Sequence, residues 1–152
     1  MKVLRGFASG RLATIKQALQ KVRMRKPSIL IAEDEPLIAI LLQDGLEYEG
    51  YTATVAKDGD EAIALLEERP ESFDLLLTDI RMPGKTNGWS LARHARSLLP
   101  NLPVIYMTGD SVQAKTKEGV PKSVMCQKPV STNALLEIIG HFLNARGGLP
   151  NL

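Results

Sequence analysis

The chain has 152 residues, 44% hydrophobic and 24% charged, the unbiased composition of one ordinary soluble domain. On folding, a chain this long removes roughly 68–70% of its unfolded surface from water, so it needs neither disulfides nor a structural metal. Its single cysteine, Cys126, excludes an intramolecular disulfide and suits a reducing compartment, and no apolar run approaches the roughly 20 residues of a membrane-spanning helix.

The formal net charge of +2 hides a division of the chain. Lys2, Arg5, Arg11, Lys16, Lys21, Arg23, Arg25 and Lys26 precede residue 27 without one acid, leaving 11 basic residues against all 17 acids in the remainder. The sequence divides into a basic extension, 1–27, a domain over 28–144 and a tail, 145–152. In the extension, Leu4, Ala8, Leu12, Ile15, Leu19 and Val22 recur at helical spacing, weakened by Gly6 and Gly10 at roughly 1 kcal/mol each. It reads either as a helix that binds a partner, a second copy or a membrane surface, or as a disordered leader, with Met24 an alternative start. It could contact nucleic acid but is no folded reader.

From Ser28 onward, apolar runs alternate with amphipathic segments. The runs are 29–32, 51–55, 74–78, 104–107 and 123–126. Four lack internal polar alternation, as parallel strands covered on both faces do. The second alternates Tyr51, Ala53 and Val55 with Thr52 and Thr54, which marks an edge strand. Between them, Pro36 opens a helix with Ile38, Leu41, Leu42 and Leu46 on one face and Gly50 as its stop. Asp58 and Glu61 form a capping-box-like start to a second helix, closed by Pro70. Leu91, Ala95, Leu98 and Leu99 mark a third, ended before Pro100. Residues 109–122 carry only a short or irregular element, and Ser131 or Thr132 caps a last helix with Leu135, Ile138, Ile139 and Phe142 facing inward. Strict β/α alternation with short connections predicts an α/β fold, a three-layer (βα)5 sandwich around a parallel sheet. The edge character of the second strand favours the flavodoxin-like order 2-1-3-4-5. Neither a Gly-x-Gly-x-x-Gly turn nor a Walker-type loop is present.

Chemistry-bearing side chains stand where these strands end: Glu33-Asp34-Glu35 after the first, Asp79 after the third, Thr108 after the fourth, and Lys128-Pro129 after the fifth. In an open parallel sheet the carboxyl ends of the strands form the ligand crevice, so these residues converge. Glu33, Asp34 and Asp79 crowded together need a counter-charge, or one must be neutralised through a raised pKa. Lys128 supplies one positive charge. Oxygen donors without a nearby His or Cys favour Mg²⁺ over zinc. Such a pocket suits attack of Asp79 on phosphorus to give an acyl phosphate, with Lys128 and the Thr108 hydroxyl stabilising the phosphoryl oxygens.

Residues 28–144 resemble the receiver domain of two-component response regulators. The matching pieces are Glu33-Asp34, Asp79 in Thr-Asp-Ile-Arg-Met-Pro-Gly, Thr108-Gly109 and Lys128-Pro129. The resemblance implies that Asp79 is the phosphoacceptor for a phosphohistidine on a sensor histidine kinase or histidine phosphotransfer protein. It implies further that Asp34 binds Mg²⁺ directly, Glu33 mostly through water, Asp79 and the backbone carbonyl of Arg81 with them. Lys128 would pair with the phosphoryl group, and Thr108 would shift toward it and carry the signal. Arg81 and Asp110 would tune a slow autodephosphorylation. The sequence departs from the family in Met125, where an aromatic is usual, in Val130 in place of a frequent Phe, and in a Gly84–Gly88 loop one residue longer than the common form.

The expectation is a stand-alone, cytoplasmic receiver that signals or shuttles phosphate through contacts with a downstream protein, since 140–152 leave no room for an output domain. It is a phosphoacceptor rather than a turnover enzyme on an external substrate, and a homodimer is compatible with it. A non-catalytic interaction module with the same fold, or a receiver detached from a hybrid sensor kinase, are the competing readings. His94, His141, Trp89 and Tyr106 read as surface or packing residues, and Cys126 as an inert thiol.

Overall fold

The computed structural model describes residues 11–17, 25–109 and 117–146. Five strands, β1 (Ser28–Ala32), β2 (Thr52–Ala56), β3 (Leu75–Asp79), β4 (Val104–Thr108) and β5 (Ser123–Gln127), form one parallel sheet in the order β2-β1-β3-β4-β5. Four helices of the domain are described: α1 (Pro36–Tyr48), α2 (Gly59–Glu68), α3 (Gly88–Leu98) and α4 (Thr132–Arg146). The predicted α/β class and strand order are therefore the observed ones. A further helical stretch covers 11–17. The rest of the predicted basic helix, Met24, residues 110–116 of the stretch expected to hold a short or irregular element, Asp110 among them, and most of the tail lie outside the described residues; the described part of that stretch, 117–122, is turn and bend.

Period-two alternation divides the core. Ile29, Ile31, Leu75, Leu77, Ile105 and Met107 face α1 and α4, where Leu46, Leu135 and Ile139 close the layer. Leu30, Ala32, Leu76, Val104 and Tyr106 face α2 and α3, against Ala62, Leu66, Leu91 and Ala92. Both faces are covered, which is why these strands read as uninterrupted apolar runs. The expectation fails for β5. It is the second edge, paired only with β4, and Ser123 to Cys126 are half-buried while Gln127 is exposed.

The helix boundaries follow local chemistry. Pro36 opens α1, and Gly50, at φ +95, takes the left-handed conformation that ends it. Asp58 accepts the Glu61 N–H at 2.8 Å, and Glu61 reaches back to the Lys57 N–H at 2.8 Å, one residue earlier than a strict capping box. After α2, Pro70–Ser72 form a 3₁₀ turn. Ser131 rather than Thr132 caps α4, accepting the Ala134 N–H at 3.1 Å. Two helix faces are rotated from the predicted stripes. In α1 Leu41 is 72% exposed and Ala39 is buried in its place; in α3 Leu98 points outward while Trp89 and Ala92 are buried. One step around a helix is 100°, so a neighbouring apolar residue can take the inward place.

Candidate functional site

Each strand end delivers its residue through a backbone bond. Glu33 continues β1 because its N–H donates to Ala56 O at 3.1 Å. Asp79 is the last residue of β3, opposite Met107 of β4. Lys128 follows β5, its N–H donating to Thr108 O at 2.7 Å. The Lys128–Pro129 peptide is cis, a feature the sequence reading did not anticipate.

These constraints bring Glu33, Asp34 and Asp79 together, with one carboxylate oxygen of each within 4.8 Å of the others. Lys128 bridges two of them, its Nζ donating to Glu33 Oε2 at 3.0 Å and to Asp79 Oδ2 at 2.9 Å. Asp79 Oδ1 accepts the Ile80 N–H at 2.8 Å, and Glu33 Oε1 accepts the Glu35 N–H at 3.1 Å. The Glu33 side chain is fully enclosed, whereas that of Asp79 keeps 11% exposure, a narrow opening toward solvent. Thr108 is buried at the end of β4, one residue past the partner of Asp79. Arg81 is exposed, two residues beyond Asp79.

Electrostatics follow from the enclosure. Burial raises the Glu33 pKa above the usual carboxylate value, and the charge of Asp79 adds to the rise; hydrogen bonds from Glu35 and Lys128 offset only part. Burial also opposes the Lys128 ammonium, but its bonds to Asp79 and Glu33 outweigh that and hold its pKa above the ordinary value. Three carboxylates against one ammonium leave an uncompensated charge near −2 when all are ionised. A hard dication meets that need. The oxygen-only donor set suits Mg²⁺.

Supports outside the predicted set hold the pocket. The Cβ that any other residue would place at Gly88 would collide with the Asp79 carbonyl oxygen, so α3 can begin directly against the end of β3 only with glycine there. The Gly88 N–H donates to Ile80 O at 2.8 Å. The lengthened loop is tied to α2, since the Thr86 hydroxyl donates to Asp60 Oδ1 at 2.6 Å. A glycine closing a loop that follows a strand-terminal acid was the available sequence clue. Trp89 and Tyr106 are packing residues, with ring centroids 4.7 Å apart, and the Tyr106 hydroxyl accepts the Val120 N–H at 3.0 Å. His94 pairs with Glu67 at 3.0 Å, away from the pocket. Burial pushes the Cys126 thiol pKa up, which disfavours the reactive thiolate.

Residues 29–140 match the model of the response regulator receiver domain. Similar proteins include the two-component response regulator ARR14 of Arabidopsis thaliana, 31% identical over 78% of this chain and 31% of its own. Another is the response regulator receiver protein CpdR of Brucella abortus, 42% identical over 53% of this chain and 65% of its own. The crystal structure of a response regulator receiver protein from Sinorhizobium medicae superposes with a TM-score of 0.76 at 32% identity, covering 81% of this chain and 98% of that one. Of the curated relatives it matches, the chain spans 31% of ARR14, 14% of the Vibrio campbellii kinase LuxN and 54% of YkoG from Bacillus subtilis. With its parallel sheet in the order 2-1-3-4-5 and an acidic triad at the strand ends, the chain belongs to the response regulator receiver domain family.

Proposed function

We propose that this receiver takes a phosphoryl group from a phosphohistidine onto Asp79 and passes the signal, or the phosphate, on through protein contacts. The observation that carries the reading is the Glu33–Asp34–Asp79 triad around the Lys128 ammonium. An oxygen of Asp79 attacks phosphorus in line with the P–N bond; that bond breaks, the imidazole leaves, and Asp79 holds an acyl phosphate. Lys128 stands on the Asp79 carboxylate and can follow the charge onto the phosphoryl oxygens. Thr108, beside this row on β4, supplies a hydroxyl for the same oxygens. Asp34, Asp79 and the Arg81 carbonyl, with Glu33 mostly through water, would hold Mg²⁺, which when bound would neutralise the crowded negative charge. Water reaching the same phosphorus gives slow autodephosphorylation.

Incubation with Mg²⁺ and a small acyl phosphate should add one phosphoryl group, stable in acid and labile in alkali, to wild type and none to Asp79→Asn. A wild type left unmodified overturns the reading. A non-catalytic interaction module predicts instead a partner affinity indifferent to Asp79→Asn and to Mg²⁺. The match to the autoinducer 1 sensor kinase/phosphatase LuxN and the likeness to the receiver of the hybrid histidine kinase CckA, TM-score 0.66 at 31% identity, keep a hybrid-kinase origin as the second reading. In both settings the chemistry on Asp79 is the same.

A further inference from the structure

The outward face of α1 is apolar where a surface helix is ordinarily polar. Leu37, Ile40, Leu41 and Tyr48 are 77, 52, 72 and 89% exposed. They recur at three-, four- and seven-residue spacings on one face, with exposed Asp44 among them. Every charged residue of α1 and its two flanking positions is acidic: Glu35, Asp44, Glu47 and Glu49.

The helical stretch 11–17 presents the complement. Leu12 and Ile15 are 59 and 55% exposed, beside Arg11 and Lys16, in the segment that carries eight cations and no acid. Its point of departure from the domain lies next to α1. The Thr52 N–H, four residues past the end of α1, donates to Pro27 O at 2.9 Å, and Arg25 is fixed by Asp74 at 2.7 Å. The seven residues 18–24 can span roughly 23 Å when extended. That exceeds the about 20 Å length of the 13-residue α1.

We propose that helix 11–17 docks in cis on the exposed face of α1, Leu12 and Ile15 covering Ile40, Leu41 and Tyr48 and Lys16 meeting Asp44. In the structure described here both faces are open, so the docked form is a second arrangement of the same chain. Charge selects this pairing. Two basic segments would bring cations together, and two α1 faces would bring acids together; only basic on acidic matches. Covalent connection favours the same chain over a second copy, because two elements joined through so few residues meet at an effective concentration of about millimolar. Since α1 begins two residues after Asp34, the docked helix would flank the path of a protein phosphodonor. That consequence rests on the proposed function; the docking does not.

Disulfide trapping in the full chain tests it. On a Cys126→Ser background, Ile15→Cys with Leu41→Cys should oxidise rapidly to an intramolecular bond, whereas Ile15→Cys with Leu98→Cys, on α3, should not. Asp44→Lys should slow the trapping by up to about five-fold, the scale of a surface ion pair, and Lys16→Asp added to it should restore the rate. Equal trapping at positions 41 and 98, or none at either, overturns the proposal. Bonds between chains whose yield rises with concentration assign the face to a second copy instead. Sedimentation of wild type with phosphatidylserine vesicles, lost in Leu12→Asp/Ile15→Asp but unchanged by Leu41→Asp, assigns helix 11–17 to a membrane surface.

Discussion

Replacing Asp79 by asparagine should make the Mg²⁺-free protein more stable. In wild type the Asp79 carboxylate stands within 4.8 Å of two others, and at an effective dielectric constant of about 20 each such pair repels by about 3.5 kcal/mol, together about 7. Its attraction to Lys128 Nζ at 2.9 Å is worth about 6 kcal/mol on the same scale. Asparagine keeps an oxygen to accept the Ile80 N–H, now 2.8 Å from Asp79 Oδ1, and Lys128 keeps Glu33 at 3.0 Å. The difference favours the variant by about 1 kcal/mol, and relief from burying a charge raises this to about 1–3 kcal/mol. The midpoint of thermal unfolding should then rise by about 4–10 °C. Urea and thermal unfolding followed by circular dichroism in EDTA measure it. A variant less stable than wild type by more than about 1 kcal/mol would show that the ammonium overcompensates the carboxylates and refute the reasoning. Added Mg²⁺ should close the gap, since binding at 100 times Kd stabilises wild type by about 2.7 kcal/mol while the variant has lost one anionic ligand.

Further outcomes follow from the same geometry. Leu46→Ala, at a buried position, should cost about 2–5 kcal/mol, whereas Leu41→Ala, at an exposed one, should stay within about 0.5 kcal/mol; urea melts of both check the observed rotation of α1. Gly88→Ala should destabilise by about 1–3 kcal/mol and slow modification of Asp79, because its Cβ would overlap the Asp79 carbonyl. Unfolding and phosphorylation time courses on one preparation would detect both effects. The raised pKa of Glu33 means that the folded protein takes up this proton more readily than the unfolded chain. Its stabilising contribution is thus complete below the unfolded carboxylate pKa and lost as pH rises through the folded one. Without Mg²⁺, the stability of wild type relative to Glu33→Gln should therefore improve as pH falls from neutral toward the carboxylate range; a flat or reversed difference contradicts the assigned burial.

What could be read from residues alone was whatever repeats or terminates. Runs such as Leu75 to Leu77 are apolar on both faces because two helical layers cover them, and Tyr51 to Val55 alternate because β2 is an edge. The residues that end four of these strands therefore mark the pocket in the sequence itself. Rotation about a helix axis was less legible. Leu41 and Ala39 are equally admissible on an apolar stripe, and only packing against β1 and β2 selects Ala39. The predicted order already put β5 at the end of the sheet; what its sequence hid was the incomplete cover of its faces, because Val124, Met125 and Cys126 are apolar while only half-buried. Distances between residues far apart in the chain, such as the Lys128 bridge or the Thr86–Asp60 bond, depend on backbone register and lie beyond periodicity. Gly88 sits between: its type was visible, but the reason for it is the proximity of the Asp79 carbonyl.

The most direct test of the central claim is the intact mass of the wild-type chain after incubation with a small acyl phosphate, with Mg²⁺ and with EDTA, followed by mapping of the modified residue. The account predicts one phosphoryl group per chain, present only with Mg²⁺ and located on Asp79. A chain that stays unmodified with Mg²⁺, or one modified at a residue other than Asp79, would contradict it.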